Sequence, residues 1–179
     1  MEPWRRVGSR RLQSCRVFDV DEVSFASPHD GVARTFYRIE APDWVNVIPL
    51  TSGGDVLFVR QYRFGVESFT LEIPGGMVDP GEDPLAAARR ELREETGQLA
   101  GRLTELGWVY PNPALQANRC HTYLARDLTD SGSTEPDPHE EFEQVAVPLA
   151  EVDLRIARGE ITHSLVVAAF RLLGAAAPE

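Results

Sequence analysis

Three glutamates, Glu91, Glu94 and Glu95, stand at i, i+3 and i+4, so a helix there carries all three on one face. Like charges placed this way repel, and a divalent cation relieves the repulsion. Carboxylate oxygens are the donors that Mg²⁺ and Mn²⁺ prefer, and Mg²⁺ completes its shell with water and substrate phosphate. The acids belong to a longer spaced set: Gly76, five residues, Glu82, seven residues, Arg90-Glu91-Leu92, one residue, Glu94-Glu95, one residue, Gly97. Arg90 and Glu94 at i, i+4 are also what an ordinary solvated helix offers as an ion pair. At average residue usage, seven fixed matches at these spacings have a chance of roughly 10⁻⁸ per start position, which favours chemistry over a solvated face. Gly75-Gly76 ahead of the helix lets backbone approach the acids closely.

The flanking residues predict the elements that hold this set. Asp83 is the expected N-cap, Pro84 the first helical residue and Gly97 the stop. Leu85, Ala88 and Leu92 form one apolar helical stripe. Upstream, residues 12–25 and 35–40 alternate polar and apolar around the turn Pro28-His29-Asp30-Gly31, which predicts an antiparallel strand pair. Residues 44–50, 56–62 and 69–73 predict further strands, the last running into the turn Pro74-Gly75-Gly76. Downstream, strands are expected at 103–110, 121–125 and 143–147, a polar loop at 127–141, and helices at 149–158 and 163–173 split by Gly159. Strands around a central helix with terminal helices make a mixed α/β sandwich.

Composition removes several functions. The net charge is −10, which argues against a duplex nucleic acid held by phosphate neutralisation. All 18 basic residues are arginine, so lysine Schiff-base chemistry and a phosphate-loop lysine are excluded. No apolar run is long enough to cross a bilayer, so no membrane partner is expected. Residues 1–11 lack the apolar stretch of a secretory signal. Cys15 and Cys120 give neither a disulfide framework nor a metal spacing, and a reduced, cytoplasmic compartment is the expectation. Both are read as small buried hydrophobes. His121 and His163 have no spaced partner histidine and are read as packing residues, as is Trp44.

The spaced set resembles the signature of the Nudix hydrolases, Gly-x5-Glu-x7-Arg-Glu-U-x-Glu-Glu-x-Gly-U with U a large aliphatic residue. Its only departure is Gln98 at the last position, past the helix stop. The resemblance implies a Nudix-fold α/β/α sandwich with a mixed sheet, and a Mg²⁺- or Mn²⁺-dependent hydrolase of a nucleoside diphosphate linked to another group. It implies Glu91 and Glu95 as metal ligands, Glu94 as a frequent third, and a backbone carbonyl of Gly75 or Gly76. Glu82 matches a residue acting through water or an ion pair, and Arg90 one that orients the acids.

A second resemblance is to the ADP-ribose pyrophosphatase branch, which includes enzymes of nucleoside diphosphate sugars. It rests on Val59-Arg60-Gln61-Tyr62-Arg63, on Leu71-Glu72-Ile73-Pro74-Gly75-Gly76, on Pro113 and on Ile161-Thr162-His163-Ser164. Arg60 and Arg63 suit a bidentate phosphate contact, and Tyr62 or Phe64 a stacked base. Glu72 and Gln116 join Arg60, Tyr62 and Arg63 as expected substrate contacts. Pro111-Asn112-Pro113-Ala114-Leu115-Gln116-Ala117-Asn118 has amides where the branch has an acid, which leaves a sugar nucleotide related to ADP-ribose open. Glu141 matches the branch's general base, with Glu140 as the alternative. Within an N-terminal segment of residues 1–42, the strand pair at 12–40 resembles one that swaps between subunits, so a homodimer is expected, with residues 43–179 as the hydrolase domain. The rivals are an RNA or dinucleoside polyphosphate hydrolase on the same fold, disfavoured as to RNA by the acidic charge, and a non-catalytic sugar-nucleotide sensor. A sensor would be expected to lose a box acid, and every one is present.

Overall fold

The computed structural model describes residues 1–132 and 142–176. The chain divides into two compact units, residues 1–42 with 110–119, and 43–109 with 120–179.

The first unit is an antiparallel sheet of three strands, β1 Arg5–Ser14, β2 Asp19–Ala26 and β3 Ala33–Glu40, in that order. The expected pair therefore has a third member. The stretch 12–25 is broken by a turn in which the Cys15 N–H donates to the Phe18 carbonyl at 2.9 Å. Every position of β1 is exposed. A strand with no inward face has no period-two signal, so alternation could not reveal it. The turn before β3 is as the sequence predicts: Gly31 has φ +69°, and the Asp30 carboxylate accepts from the Val32 N–H at 3.0 Å. Arg34 also donates to Asp30, at 2.8 Å, and that bond holds the Asp30 carboxyl well below the usual carboxylate range. Residues 110–119 join this unit through backbone. The Ile39 N–H donates to the Leu115 carbonyl at 2.8 Å, and the Asn118 side chain to the Pro42 carbonyl at 3.1 Å.

The second unit holds two sheets. One is antiparallel in the order β10-β5-β6, from Phe142–Pro148, Asp55–Arg63 and Ser68–Glu72. The other is mixed, in the order β7-β4-β9-β8, from Gly75–Met77, Trp44–Pro49, Cys120–Asp130 and Gln98–Val109. Here β4 and β9 run parallel, and the other neighbours antiparallel. Among the described residues three helices complete it: α1 Pro84–Thr96, α2 Val152–Ala157 after a 3-10 turn at Leu149–Glu151, and α3 Ser164–Ala175.

Two apolar clusters use the two faces of β4. Val45 and Val47 pack with Ala87, Ala88 and Leu92 of α1 and with Tyr123 and Ala125 of β9. Ile48 packs with Val56 and Phe58 of β5, Ile73 just past β6, Val147 of β10, and Val166, Ala169 and Phe170 of α3. The Phe58 and Phe170 rings stack at 5.8 Å. The sequence expectation differs at three places. Gly75–Met77 is a strand rather than a turn, β8 begins at Gln98 directly after the helix stop, and β9 runs to Asp130, so the polar stretch from residue 127 starts as strand.

Candidate functional site

Helix α1 brings the box acids together. Pro84 opens it at the first turn, and Asp83 takes the extended N-cap backbone without a side-chain capping bond. Gly97 closes it in the left-handed conformation, φ +68°, its N–H donating to the Arg93 carbonyl at 2.8 Å. The buried face of α1 carries Ala87, Ala88 and Leu92, and also Glu91 and Glu95, which are only 9% and 4% exposed. Carboxylates at such depth need partners.

Arg90 supplies most of them. Its Nε and Nη2 donate to the two Glu82 oxygens at 3.1 and 3.0 Å, a fork–fork contact. Nη2 also donates to the Met77 carbonyl at 2.9 Å. Nη1 donates to Glu91 at 2.7 Å and Glu94 at 3.3 Å. Each of the five guanidinium N–H groups thus has an acceptor. The hydrogen bonds to Arg90 lower the Glu82 carboxyl below its ordinary value, and those to Glu82 and Glu91 raise the guanidinium further above its own.

Strand β7 lies against the same acids. It pairs with β4 in the register Asn46 to Gly75, Val45 to Gly76 and Trp44 to Met77. The Gly75 N–H donates to the Glu95 carboxylate at 3.3 Å. A Cβ on Gly76 would lie 2.6 Å from the Glu91 carboxyl carbon, so only glycine lets β7 sit this close. At the C-terminal end of α1, the Gln144 side chain of β10 donates to the Glu95 carbonyl at 3.1 Å.

This arrangement suits a hard divalent cation in donor type and in charge. Three carboxylates, Glu82, Glu91 and Glu94, converge on the single guanidinium of Arg90, with Arg93 3.8 Å from Glu94, and a fourth, Glu95, faces the Gly75 N–H. The negative charge exceeds the positive, and the glycine backbone leaves the Glu91 carboxylate uncovered by a side chain at Gly76. Among the described residues no three His, Cys, Asp or Glu side chains already form a closed cage. Arg90 draws Glu91 and Glu94 to itself, so the fit is to an ion that takes few protein ligands and keeps water, as Mg²⁺ does.

The expected substrate contacts fall in three places. Arg60 and Tyr62 lie on β5, and Arg60 spans Phe69 at 4.9 Å and Glu143 at 3.5 Å. Arg60, Phe69, Phe142 and Glu143 line a cavity of about 190 Å³. The Tyr62 ring meets Phe64 and Phe69 edge-on at 5.4 and 5.5 Å. Arg63 is forked onto Glu72, at 2.8 and 2.7 Å, and Thr70 donates to Glu72 at 2.6 Å. Burial would raise the Glu72 carboxyl, but the Arg63 bonds and charge, the Thr70 bond and the nearby His163 together outweigh it and the net shift is downward. Gln116 belongs to the other unit, where it forms a β-bridge with Ile39. Glu140 and Glu141 lie outside the described residues.

The structure gives roles to residues that sequence reasoning set aside. His163 caps α3, its Nδ1 accepting from the Leu165 N–H at 3.2 Å, while Nε2 lies 3.8 Å from Glu72. His121 stands between Asp43 at 3.4 Å and Glu105 at 3.5 Å. Cys120 is buried, and burial pushes its thiol up to about 12, whereas Cys15 is exposed, against expectation. Gln144 carries no signal in the sequence because it acts on backbone brought from far along the chain. His163 carries none because histidine is not among the usual capping residues.

Comparison with known proteins gives the family. Residues 42–170 match the NUDIX domain. The chain is 29% identical to the ADP-ribose pyrophosphatase of Bacillus subtilis over 152 residues, 85% of this chain and 82% of that protein. It is 33% identical to the ADP compounds hydrolase NudE of Escherichia coli over 139 residues, covering 76% and 73%. It is 30% identical to the ADP-ribose pyrophosphatase of Mycobacterium tuberculosis over 166 residues, covering 90% and 79%. A crystal structure of an ADP compounds hydrolase superposes with a TM-score of 0.86 at 28% identity, over 98% of this chain and 94% of that one. A domain match that extends from β4 into α3 and includes the whole carboxylate cluster places the chain in the Nudix family.

Proposed function

We propose that the chain hydrolyses the diphosphate bridge of ADP-ribose or a related nucleoside diphosphate sugar, releasing a nucleoside monophosphate and a sugar phosphate. The observation that carries this reading is the buried carboxylate cluster of α1 against Gly75-Gly76, in a chain whose relatives bear ADP-ribose pyrophosphatase and ADP compounds hydrolase as their names. Glu91, Glu95 and Glu94, with a carbonyl of Gly75 or Gly76, would hold Mg²⁺ or Mn²⁺. When bound, such an ion screens the diphosphate charge and lowers the pKa of a water.

The chain's own residues do the rest. Arg90 fixes the directions of Glu82, Glu91 and Glu94 through its hydrogen bonds. Arg60 presents a cation beside an aromatic face, which suits a phosphate next to a base. Arg63 is forked onto Glu72 through Nε and Nη2, which makes that pair a holder for the arginine as much as a contact. We assign Glu141 as general base, with Glu140 as the alternative, and place the enzyme in the cytoplasm on its two unpaired thiols. Among the described residues no helix is long and apolar enough to cross a membrane.

The test is a panel of ADP-ribose, nucleoside diphosphate sugars, dinucleoside polyphosphates and 5′-triphosphorylated RNA, run with Mg²⁺ in H₂¹⁸O. Preferred turnover of a nucleoside diphosphate sugar, with ¹⁸O in one product phosphate, is expected. Turnover confined to the polyphosphates or RNA would overturn the substrate assignment. In the same assay Glu141→Gln should lower kcat by roughly 10²–10⁴-fold with little change in KM. A wild-type rate moves the base elsewhere.

A further inference from the structure

Asn46 is the polar exception inside β4, whose other positions are Trp44, Val45, Val47, Ile48 and Pro49. Asparagine is a poor strand former, and a break in the local rule is expected where function requires it. Val45 and Val47 turn toward α1 and Ile48 toward α3, so the period of two puts Asn46 on the α3 side. There its Nδ2 donates to the Leu165 carbonyl at 3.2 Å. That carbonyl is held in the first turn of α3 by the His163 cap on the Leu165 N–H.

The other end of the same amide faces β7. Asn46 is paired in register with Gly75, and a Cβ on Gly75 would stand 2.9 Å from Asn46 Oδ1. The amide therefore lies directly against the Gly75 Cα. The Gly75 N–H is the group that donates to Glu95, at 3.3 Å. That is long for a bond to a carboxylate, so a small displacement of Gly75 breaks it and frees Glu95 to turn.

We propose that Asn46 is a positioning residue for the hydrolysis: anchored on Leu165, its side chain braces Gly75 so that the peptide N–H stays on the Glu95 carboxylate. The inference rests on the carboxylate reading above and adds to it a residue outside the box, on another strand, reaching the acids through one glycine. Valine or leucine at position 46 suits a buried strand at least as well, but has no hold on Leu165. Such variants separate positioning from fold.

The experiment uses the full chain as wild type, Asn46→Val, Asn46→Leu and Glu95→Gln. Mn²⁺ is titrated into each by calorimetry, and kcat and KM are measured on ADP-ribose and on the nucleoside diphosphate sugar panel. Exchange of the Gly75 amide is followed by NMR on ¹⁵N-glycine protein. Both Asn46 variants are expected to melt cooperatively, to bind Mn²⁺ about tenfold more weakly and to lose about tenfold in kcat at nearly constant KM. Their Gly75 amide should exchange faster than in wild type. Should Asn46→Val fail to fold, Asn46→Leu, closer in length to asparagine, decides. Wild-type Mn²⁺ affinity, kcat and Gly75 exchange in the folded Asn46 variants, with Glu95→Gln weakened, would overturn this inference alone. No Mn²⁺ uptake by the wild type would overturn the carboxylate reading and this inference with it.

Discussion

Arg90 and the Gly75 N–H divide the work of holding the acids. Arg90 engages Glu82, Glu91 and Glu94, while Glu95 faces the Gly75 N–H. A glutamine at 95 keeps the size and the acceptor oxygen but removes the charge. Glu95→Gln should therefore retain its fold by circular dichroism and lose about 10²-fold or more in kcat, and full turnover with metal present rejects the site. Glu72 makes a different claim, on stability. Its carboxyl is lower in the folded chain than in a free side chain because Arg63 and Thr70 bond the ionised form. A carboxyl lowered on folding contributes stability above its ordinary range and loses it as pH falls through the folded value. A hydrogen-bonded charge of this kind is worth about 2 kcal/mol, the exposed side of Arg63 keeping it from being larger. Urea midpoints should show Glu72→Gln weaker than wild type by about that amount at pH 7, with the gap closing in strong acid. A gap independent of pH would show that the charge is not what Glu72 contributes.

Strand β7 shows why two adjacent glycines are not equivalent. At Gly75 an added Cβ meets the Val45 carbonyl, which is fixed in the central strand, and the Asn46 side chain at 2.9 Å. At Gly76 it meets the Glu91 carboxylate, which can rotate away. Gly76→Ala should accordingly fold, with a stability loss of about 1–3 kcal/mol, and lose activity out of proportion to it. Gly75→Ala should be the less stable of the two in thermal melts. Equal melting temperatures with equal activity would show that the close approach of β7 to the acids has no consequence. The box helix, by contrast, was legible without the structure. Pro84, the stripe of Ala88 and Leu92, and Gly97 are local signals, and each acts where expected. What was not legible depends on partners distant in sequence. Gly75–Met77 looks like a turn and becomes a strand only because Trp44–Asn46 offers it a ladder. Arg63 looks like a free phosphate ligand until β6 brings Glu72 beside it. Asn46 disappears into an apolar run unless Leu165 is known to wait opposite its amide.

The charge of the whole chain is unevenly divided. Residues 1–42 and 110–119 hold eight arginines against six carboxylates, while the other unit holds ten against 22. The basic unit also presents β1, exposed along all ten residues, with Trp4 just before its start and Val7 and Leu12 within it. An uncovered strand carrying apolar side chains is a liability in a single copy. We propose that a second copy would cover it with surface of the opposite sign, since the acidic excess lies in the other unit of every chain. The chain is therefore expected to be a homodimer, with a light-scattering mass of twice 19.9 kDa at micromolar concentration. Attraction between exposed charges is screened as the Debye length shrinks to about 3 Å at 1 M salt. Dimerisation should therefore weaken with added salt, and Arg6→Glu on β1 should weaken it further at low salt. A mass of one chain at low salt rejects the dimer. A dimer indifferent to both salt and Arg6→Glu leaves the apolar side chains of the sheet, and not its charge, as what holds two copies together.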